Sequence, residues 1–197
     1  MVNGAGGGRP KGDKRARTRA RLLDAALSLT REQGFERTTL QQIAERAGVS
    51  TGAIYGNFRN RDDLFMALAE RQWGPVTPAF RPGDSFATLM EAMAAATLEA
   101  LRHREPAAVG ALTFRAYALR HDDVRSRFRD VMAAGYDGGA AWLRANFDER
   151  ELPMAPDVLV RVIDALVEGL TFQRLLTPEL VTDAVVHAAF RALTRSS

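Results

Sequence analysis

The chain of 197 residues contains no cysteine, and this absence removes several classes of function at once. Disulfides, thiolate zinc sites and cysteine nucleophiles are all excluded. No apolar run reaches the roughly 18 residues that a membrane-spanning helix needs. The glycine-rich, basic opening MVNGAGGGRPKGDKRAR also lacks the apolar stretch of a secretory signal. We therefore expect a cytoplasmic protein that has no membrane partner.

Groups that carry catalysis or bind cofactors are also scarce. The three histidines, His103, His121 and His187, are scattered and do not show metal-ligand spacing. No glycine-rich loop of the phosphate-binding kind precedes a helix. Acidic residues are numerous, but no spacing pairs two of them as a general acid and a general base. We expect no enzymatic activity, no cofactor and no metal.

The positive charge is concentrated in the first third of the chain. The formal net charge is only +3, yet residues 1–61 hold 12 Lys/Arg against 5 Asp/Glu. Residues 62–197 hold 15 Lys/Arg against 19 Asp/Glu. A basic module on an acidic body favours a polyanionic partner for the N-terminal region, although a basic tail that only aids solubility gives the same count.

Apolar residues recur at spacings of three and four almost throughout, and no segment alternates as a strand would. The sequence therefore predicts an all-α fold. The segment GPVTPAFRPGD, residues 74–84, breaks the pattern with three prolines and two glycines, so a domain boundary is expected there. Helices are predicted near 15–33, from Thr38 or Thr39 to Gly48, from Ser50, from Asn60, and near 85–103, 106–120, 122–147, 157–176 and 179–194.

The most informative segment is TTLQQIAERAGVSTGAIYGNF, residues 38–58. A helix-turn-helix needs a small residue where its two helices touch and a glycine in the turn, and Ala44 and Gly48 stand at those positions. Apolar residues must anchor both helices to the preceding one, a role that fits Ile43, Ala47, Val49 and Ile54. An ordinary amphipathic hairpin is the alternative, but the flanking basic residues favour a DNA-binding helix-turn-helix.

At these residues the chain resembles the N-terminal domain of the TetR family. The resemblance covers roughly residues 15–70 and includes Gly34-Phe35, the following threonine pair, IAERAGVS, and the stretch from Tyr55 to Leu64. Two residues depart from the family pattern: Asn57 stands where histidine is common, and Arg61 where lysine is common. Arg61 keeps the charge expected at a phosphate, whereas Asn57 suits either an adenine edge or a phosphate.

Chemistry and the resemblance together assign roles in DNA binding. Phosphate contacts are expected from Thr39, Ser50, the Tyr55 hydroxyl and Arg61. Base reading is expected from Thr51, Gly52 and Ala53, with Gln42 as a helper, and Thr38 and Asn57 complete the interface. The basic residues Lys14, Arg15, Arg17, Arg19 and Arg21 should follow the DNA backbone or enter the minor groove, unless they only solvate a helix face.

The C-terminal helices are suited to dimerisation. Residues 158–176 are apolar around most of their circumference, and the last helix adds small residues, so both need cover. The resemblance implies a symmetric four-helix interface; the alternative is an unusually buried helix in a monomer. The predicted interface residues are Val162, Leu166, Leu170, Val185, Ala188, Ala189 and Phe190.

The middle helices are the expected site of an effector pocket. Methionine and aromatic side chains at helical spacing favour an apolar cavity with a few polar groups, although plain core packing explains them as well. The predicted pocket residues are Met90, Met93, Thr97, Phe114, Tyr117, Met132, Tyr136, Trp142, Phe172 and Gln173.

These observations predict a flexible basic arm over residues 1–13, a DNA-binding domain over 14–73 and a ligand-binding, dimerising domain over 74–197. The resemblance implies a regulator that binds a palindromic double-stranded DNA operator as a homodimer and that a small-molecule effector releases. Repression is the usual mode of the family. A helix-turn-helix protein without an effector is the alternative.

Overall fold

The computed structural model describes residues 11–194, with side chains from residue 14 onward. Within that stretch the chain is all α, without a β-strand, so the predicted fold class is confirmed. Short 3₁₀ turns cover Glu105–Ala107 and Glu149–Glu151. The α-helices are α1 (Lys11–Gln33), α2 (Leu40–Ala47), α3 (Thr51–Tyr55), α4 (Arg61–Gln72), α5 (Phe86–Arg104), α6 (Ala108–Ala118), α7 (Asp122–Asn146), α8 (Pro156–Leu176) and α9 (Asp183–Ala192).

The chain divides into two compact units. The N-terminal unit holds the described residues up to Gln72 together with Val109–Ala116, and the C-terminal unit holds Trp73–Ala108 and the described residues from Tyr117 onward. The sequence predicted a single boundary within residues 74–84. The units instead also divide α6, because its middle part groups with the N-terminal unit. The expected arm over 1–13 falls mostly outside the described residues, but Lys11 and the two residues after it already belong to α1.

The N-terminal unit is built around apolar side chains at helical spacing on α1. Leu22 and Ala26 of α1 are fully buried, as are Ile43 of α2 and Ile54 of α3. The helix contacts run from α1 to both α2 and α4, while α3 contacts α2. The predicted apolar anchors are therefore buried, except that Val49 in the turn stays half-exposed. This core fixes α2 and α3 as the two helices of a helix-turn-helix.

A segment of α6 completes the N-terminal unit. Phe114 packs edge-on against Phe35, with ring centroids 5.5 Å apart, and its ring lies tilted to that of Phe65 at 6.5 Å. Gly110 lies so close to α1 that a Cβ atom there would meet Cγ2 of Thr30 at 2.9 Å. Phe114 is 3% exposed and belongs to this aromatic cluster, so its predicted place in the effector pocket of the middle helices is corrected.

The C-terminal unit has its own apolar core, in which α5 packs on α9 and α7 packs on α8. Met90, Leu159, Val186 and Phe190 are fully buried within it. Helices α7 and α8 approach closely at Gly139, where an added Cβ would lie 2.6 Å from Cγ2 of Val160. A side chain at that position would force the two helices apart.

The last helix begins later than expected. A start near residue 179 was predicted, but residues 177–182 form a turn and Thr182 is the N-cap of α9. Arg174 holds this turn by donating to the Val181 carbonyl at 2.7 Å and pairing with Asp183 at 2.6 Å. These contacts join residues seven and nine positions apart, which the three-and-four spacing of apolar residues does not reveal.

Candidate nucleic-acid interface

Helix α3 presents a short exposed surface. Ser50, its N-cap, makes no side-chain capping bond, and Ser50, Thr51 and Gly52 are all exposed. Tyr55 is 62% exposed at the other end of the helix, and Ala53 is half-buried. The fully buried Ile54 anchors the helix from below. Small side chains and one phenol hydroxyl are thus held where a DNA groove can approach them.

Helix α2 begins with a complete capping box. The Thr39 hydroxyl accepts from the Gln42 backbone N–H at 3.3 Å, and Gln42 Oε1 accepts from the Thr39 backbone N–H at 2.9 Å. The same Oε1 also accepts from the Thr39 hydroxyl at 3.1 Å and from Gln33 Nε2 at 3.0 Å. Because this oxygen is committed to the cap, the predicted base-reading role of Gln42 is corrected to a structural one. Thr39 remains exposed at the helix start.

Thr38 lies inside the unit and does not face DNA. Its side chain is 0% exposed, and its hydroxyl donates to the Gly34 carbonyl at 2.8 Å. The prediction for this threonine was wrong because either threonine of the pair satisfies the capping spacing. Only Thr39 occupies the N-cap.

Arg61 turns into the unit as well. Its Nε donates to the Thr38 carbonyl at 3.1 Å, and its Nη2 donates to the Phe35 carbonyl. The guanidinium carbon lies 4.2 Å from the ring centroid of Phe35 and 4.7 Å from that of Phe65. These contacts satisfy carbonyl groups just beyond the end of α1, so the predicted phosphate contact of Arg61 is corrected.

Asn57 closes α3 instead of reaching outward. Its Nδ2 donates to the Ala53 carbonyl at 2.7 Å, and its own carbonyl accepts from Arg19 Nη1 at 3.2 Å. The Oδ1 atom is buried. Both readings proposed for Asn57, an adenine edge and a phosphate, are therefore corrected in favour of a helix-terminating role.

The basic residues of α1 divide into two groups. Arg19 lies over the ring of Phe58 at 4.4 Å, and Arg21 donates from Nη2 to the carbonyls of Ala47 and Gly48. Both side chains thereby hold the helix-turn-helix in place. The prediction that they follow the DNA backbone is corrected. Lys14, Arg15 and Arg17 are exposed on the first turns of α1, and their contacts with DNA stay a prediction.

The turn between α2 and α3 depends on Gly48. This residue has φ 61°, in the left-handed region, and ends α2 with its N–H donating to carbonyls of that helix. A Cβ atom there would also meet Arg21 Nη2 at 3.0 Å. The left-handed conformation favours glycine at this position, as the sequence predicted for the turn.

An ion pair that the sequence did not reveal joins α1 to α2. Arg46 forms two hydrogen bonds to Glu32, at 2.6 and 2.8 Å, and a third to Ser28 at 2.8 Å. Hydrogen bonds from Arg46 first and from Ser28 next lower the pKa of Glu32 from 4.5 to about 2. The partners are 14 and 18 positions apart, so no local spacing marks them.

Two predicted interface residues lie in the core of the C-terminal unit. Phe190 is 0% exposed and Leu170 is 9% exposed, and both pack in the apolar core described above. Their assignment to a dimer interface is corrected, because their apolar surface is already covered within one chain. Val162, Leu166 and Ala189 are half-buried, whereas Val185 and Ala188 are exposed.

The predicted pocket residues of α5 pack in the core. Met90 and Met93 belong to the buried cluster, and the fully buried Thr97 donates its hydroxyl to the Met93 carbonyl at 2.7 Å. That bond lies within one helix, so Thr97 has a local partner for its proton. The sequence left open whether these three residues line a pocket or pack in the core, and in the structure they pack in the core.

The remaining pocket candidates are distributed among separate contacts. Phe172 stacks on Trp73 with centroids 4.9 Å apart, and Tyr117 stacks on His121 at 3.7 Å. Trp142 packs edge-on against Phe80 at 4.8 Å. Met132 is half-buried and Gln173 is exposed.

Tyr136 carries the clearest polar contact of that set. Its hydroxyl donates to Asp164 Oδ2 at 2.8 Å, and the guanidinium of Arg161 lies 5.1 Å from its ring centroid. Burial, and then the bond to the Asp164 carboxylate, raise the pKa of Tyr136 to about 12. The phenol therefore remains a protonated hydrogen-bond donor between α7 and α8 at neutral pH.

Two other classes of site are not indicated by the described residues. Among residues 14–194, no three His, Asp or Glu side chains cluster as metal ligands would. In the same part of the chain, no helix combines the length and apolarity needed to cross a bilayer. Helices α2 and α3, the Gly48 turn between them and the exposed surface of α3 together form a helix-turn-helix.

Comparison with known proteins finds a family model that matches the N-terminal part of the chain. Residues 22–68 match the family described as bacterial regulatory proteins, tetR family. The chain is 40% identical over 80 residues to the HTH-type transcriptional regulator AcrR of Shigella flexneri. That alignment covers 38% of this chain and 37% of AcrR, so it spans well under half of the relative's length.

Solved structures resemble nearly the whole chain. NalD, the secondary repressor of the MexAB-OprM multidrug efflux pump in Pseudomonas aeruginosa, has a TM-score of 0.63 at 24% identity and covers 95% of this chain and 100% of its own. SmeT in complex with triclosan has a TM-score of 0.62 at 23% identity and covers 92% and 93%. At these identities the likeness shows the fold alone.

The similarity of this chain to the tetR family of bacterial regulatory proteins thus extends over residues 22–68. Several matched relatives are named HTH-type transcriptional regulators, among them SrpR and TtgR of Pseudomonas putida.

Proposed function

We propose that the chain is a repressor that binds a palindromic DNA operator as a homodimer and leaves it when a small molecule binds the C-terminal unit. The observation that carries the proposal is the exposed surface of α3. Ser50, Thr51, Gly52 and Tyr55 face outward from a helix whose opposite side is fixed by Ile54. Because DNA is the proposed partner, we also propose that the protein acts in the cytoplasm.

Each exposed group of this interface suits a particular part of DNA. The Ser50 and Tyr55 hydroxyls and the exposed start of α2 at Thr39 suit phosphates. The methyl groups of Thr51 and Ala53 suit the thymine methyl, and Gly52 lets the backbone approach the bases. Lys14, Arg15 and Arg17 add positive charge beside the duplex.

A homodimer is supported by small and apolar side chains that one chain leaves uncovered. On α8, Val158 is 51% exposed, and further exposed or half-buried positions follow at spacings of three and four, namely Val162, Ala165 and Gly169. On α9, which contacts α8, the exposed residues include Ala184, Val185, Ala188 and Ala192. Small residues allow close helix approach, and a two-fold axis would pair this surface with itself.

The effector is proposed by analogy with SmeT, which was solved with triclosan. Met132, Tyr136, Phe172 and Tyr117, all half-buried, remain candidate lining residues, together with the more exposed Trp142 and Gln173. The core packing of Met90, Met93 and Thr97 supports a second candidate function, a helix-turn-helix regulator without an effector.

Operator binding tests the proposal directly. Purified protein and a duplex from the intergenic DNA upstream of its own gene should form a complex far tighter than random duplex forms. Raising the salt concentration from about 50 to about 200 mM should weaken it by orders of magnitude. Equal affinity for operator and random DNA would overturn the proposal.

A panel of apolar aromatic compounds, triclosan included, then separates the two candidates. A compound that raises the melting temperature and releases the operator supports the ligand-responsive repressor. A panel that moves neither quantity supports the regulator without an effector.

A further inference from the structure

Helix α2 has two polar flanks with different partners. On one flank Gln42 bonds Gln33, and Arg46 bonds Glu32 and Ser28, so this flank is tied to α1. On the other flank Gln41 and Glu45 are exposed, and Gln41 Nε2 donates to Glu45 Oε1 at 3.1 Å. The buried face of α2 lies between the two flanks and consists of Ile43, Ala44 and Ala47. The side chains of Gln41 and Glu45 therefore do not share the contacts that the other flank makes with α1.

The bond to Glu45 fixes the orientation of the Gln41 amide. A carboxylate only accepts hydrogen bonds, so the amide must turn its nitrogen toward Glu45. One N–H is then used, while the carbonyl oxygen and the second N–H stay available for another partner. The side chain therefore offers one acceptor and one donor on the same amide plane.

That pair of groups complements one base edge. In the major groove adenine presents the N7 acceptor beside the N6 amino donor, whereas guanine presents two acceptors. A glutamine amide bonds adenine through both groups, but it meets guanine with one mismatched acceptor. The exposed side chains of α3 lack a comparable amide, since they are serine, threonine and tyrosine.

We propose that Gln41 reads an adenine in each operator half-site and that Glu45 is its positioning residue. The inference rests on the proposed operator binding. In a helix-turn-helix the second helix lies in the major groove and the first crosses the DNA backbone, so the exposed flank of α2 borders the bases that α3 meets. The Glu45 carboxylate opposes the phosphates, and it therefore weakens binding to DNA of any sequence.

The test is selection of DNA from a randomised duplex pool by the full chain, compared among variants. Wild type should enrich one position per half-site for adenine, and Gln41→Ala should lose that preference alone. The expected loss is about 5- to 100-fold in relative affinity, as for a bidentate contact. Gln41→Met, which keeps the length without the amide, should behave alike if Gln41→Ala folds poorly. Gln42→Ala is the matched control: it breaks the cap and should lower the melting temperature without changing base preference.

Variants of Glu45 test whether this residue positions Gln41, because a purely structural role would not change the preference for adenine. Glu45→Ala should reduce the adenine preference and raise affinity for random DNA, whereas Glu45→Gln should raise that affinity and keep the preference, because its amide oxygen still accepts from Gln41. The inference is overturned if Gln41→Ala keeps every base preference or weakens all sequences alike; the proposed function then still stands. A wild-type protein that enriches no sequence overturns the proposed function itself.

Discussion

Nη2 of Arg21 donates a hydrogen bond to the backbone carbonyl of Ala47, and so a basic side chain of α1 caps the end of α2. The same nitrogen reaches the Gly48 carbonyl at 3.3 Å. Unsatisfied carbonyls at a helix C-terminus favour a cation, so this contact stabilises the turn that orients α3. Arg21 thereby acts on DNA binding through the shape of the unit.

Arg21 and Arg15 should differ in what their loss changes. Arg21→Ala removes the cap and should destabilise the N-terminal unit by about 1 kcal/mol, lowering its melting temperature. Arg15→Ala, at an exposed position of the same helix, should leave the melting temperature unchanged and reduce the salt slope of operator binding by about 1. Thermal unfolding and a salt titration of binding measure both. A full loss of salt slope in Arg21→Ala, without destabilisation, would contradict the capping role.

Tyr55 and Thr51 should affect operators in different ways. Tyr55→Phe removes one hydroxyl from an exposed ring and should weaken all operator sequences alike, by about 1 kcal/mol, as the loss of a neutral phosphate bond would. Thr51→Ala should change the ranking of operator variants, because the lost methyl contacts a base. Competition binding against a set of single-base operator variants distinguishes the two. If Thr51→Ala lowered the affinity for all operator variants equally, Thr51 would contact the DNA backbone and not a base.

The pair between Glu32 and Arg46 should make stability depend on acid pH. The folded pKa of Glu32 is about 2 against 4.5 in the unfolded chain, so the charged carboxylate favours the folded state. This contribution is fully present above about pH 5 and is lost as the pH falls toward about 2. Glu32→Gln removes it at neutral pH.

Chemical unfolding at several pH values measures that dependence. The stability difference between wild type and Glu32→Gln should shrink from neutral pH toward about pH 2, and added salt should reduce it, because the pair is exposed. Glu36→Gln, which removes a nearby exposed carboxylate, is the control. A difference that stays constant across the acid range would show that the pair does not stabilise the fold.

The helix-turn-helix could be predicted because its constraints are local. Ala44, Gly48 and Ile54 are separated by a few residues, and their size and conformation follow from helix spacing and the turn. The same local reasoning could not choose between Thr38 and Thr39, since both satisfy the capping-box spacing. Burial decided it, and burial depends on how α1 and α4 pack around the pair.

The errors at Arg61 and Asn57 have one physical origin. A long or polar side chain beside a predicted interface can turn outward to DNA or inward to unsatisfied carbonyls, and sequence spacing does not distinguish the two. Arg61 reaches the Phe35 and Thr38 carbonyls, and Asn57 reaches that of Ala53. Phe190 was misplaced similarly, because an apolar residue suits the core of one chain as well as a contact between two.

The proposed dimer is best tested at an exposed position of α9. Val185 is 42% exposed, whereas Phe190 on the same helix is fully buried. Val185→Glu should leave each chain folded but place two carboxylates near the two-fold axis, and like charges there would oppose association. Phe190→Ala should instead destabilise the chain itself by about 3–5 kcal/mol, as loss of a buried aromatic ring does.

Sedimentation and operator binding then connect the interface with DNA recognition. Two α3 helices reach successive major grooves only if the dimer holds them about 34–36 Å apart or at a multiple of that distance. Val185→Glu should therefore sediment as a monomer and unfold at nearly the wild-type temperature. It should bind a single half-site and the full palindrome with equal affinity. If the monomeric variant still bound the palindrome with wild-type affinity, DNA recognition would not need the dimer. If it remained dimeric, the interface would lie away from this face of α9.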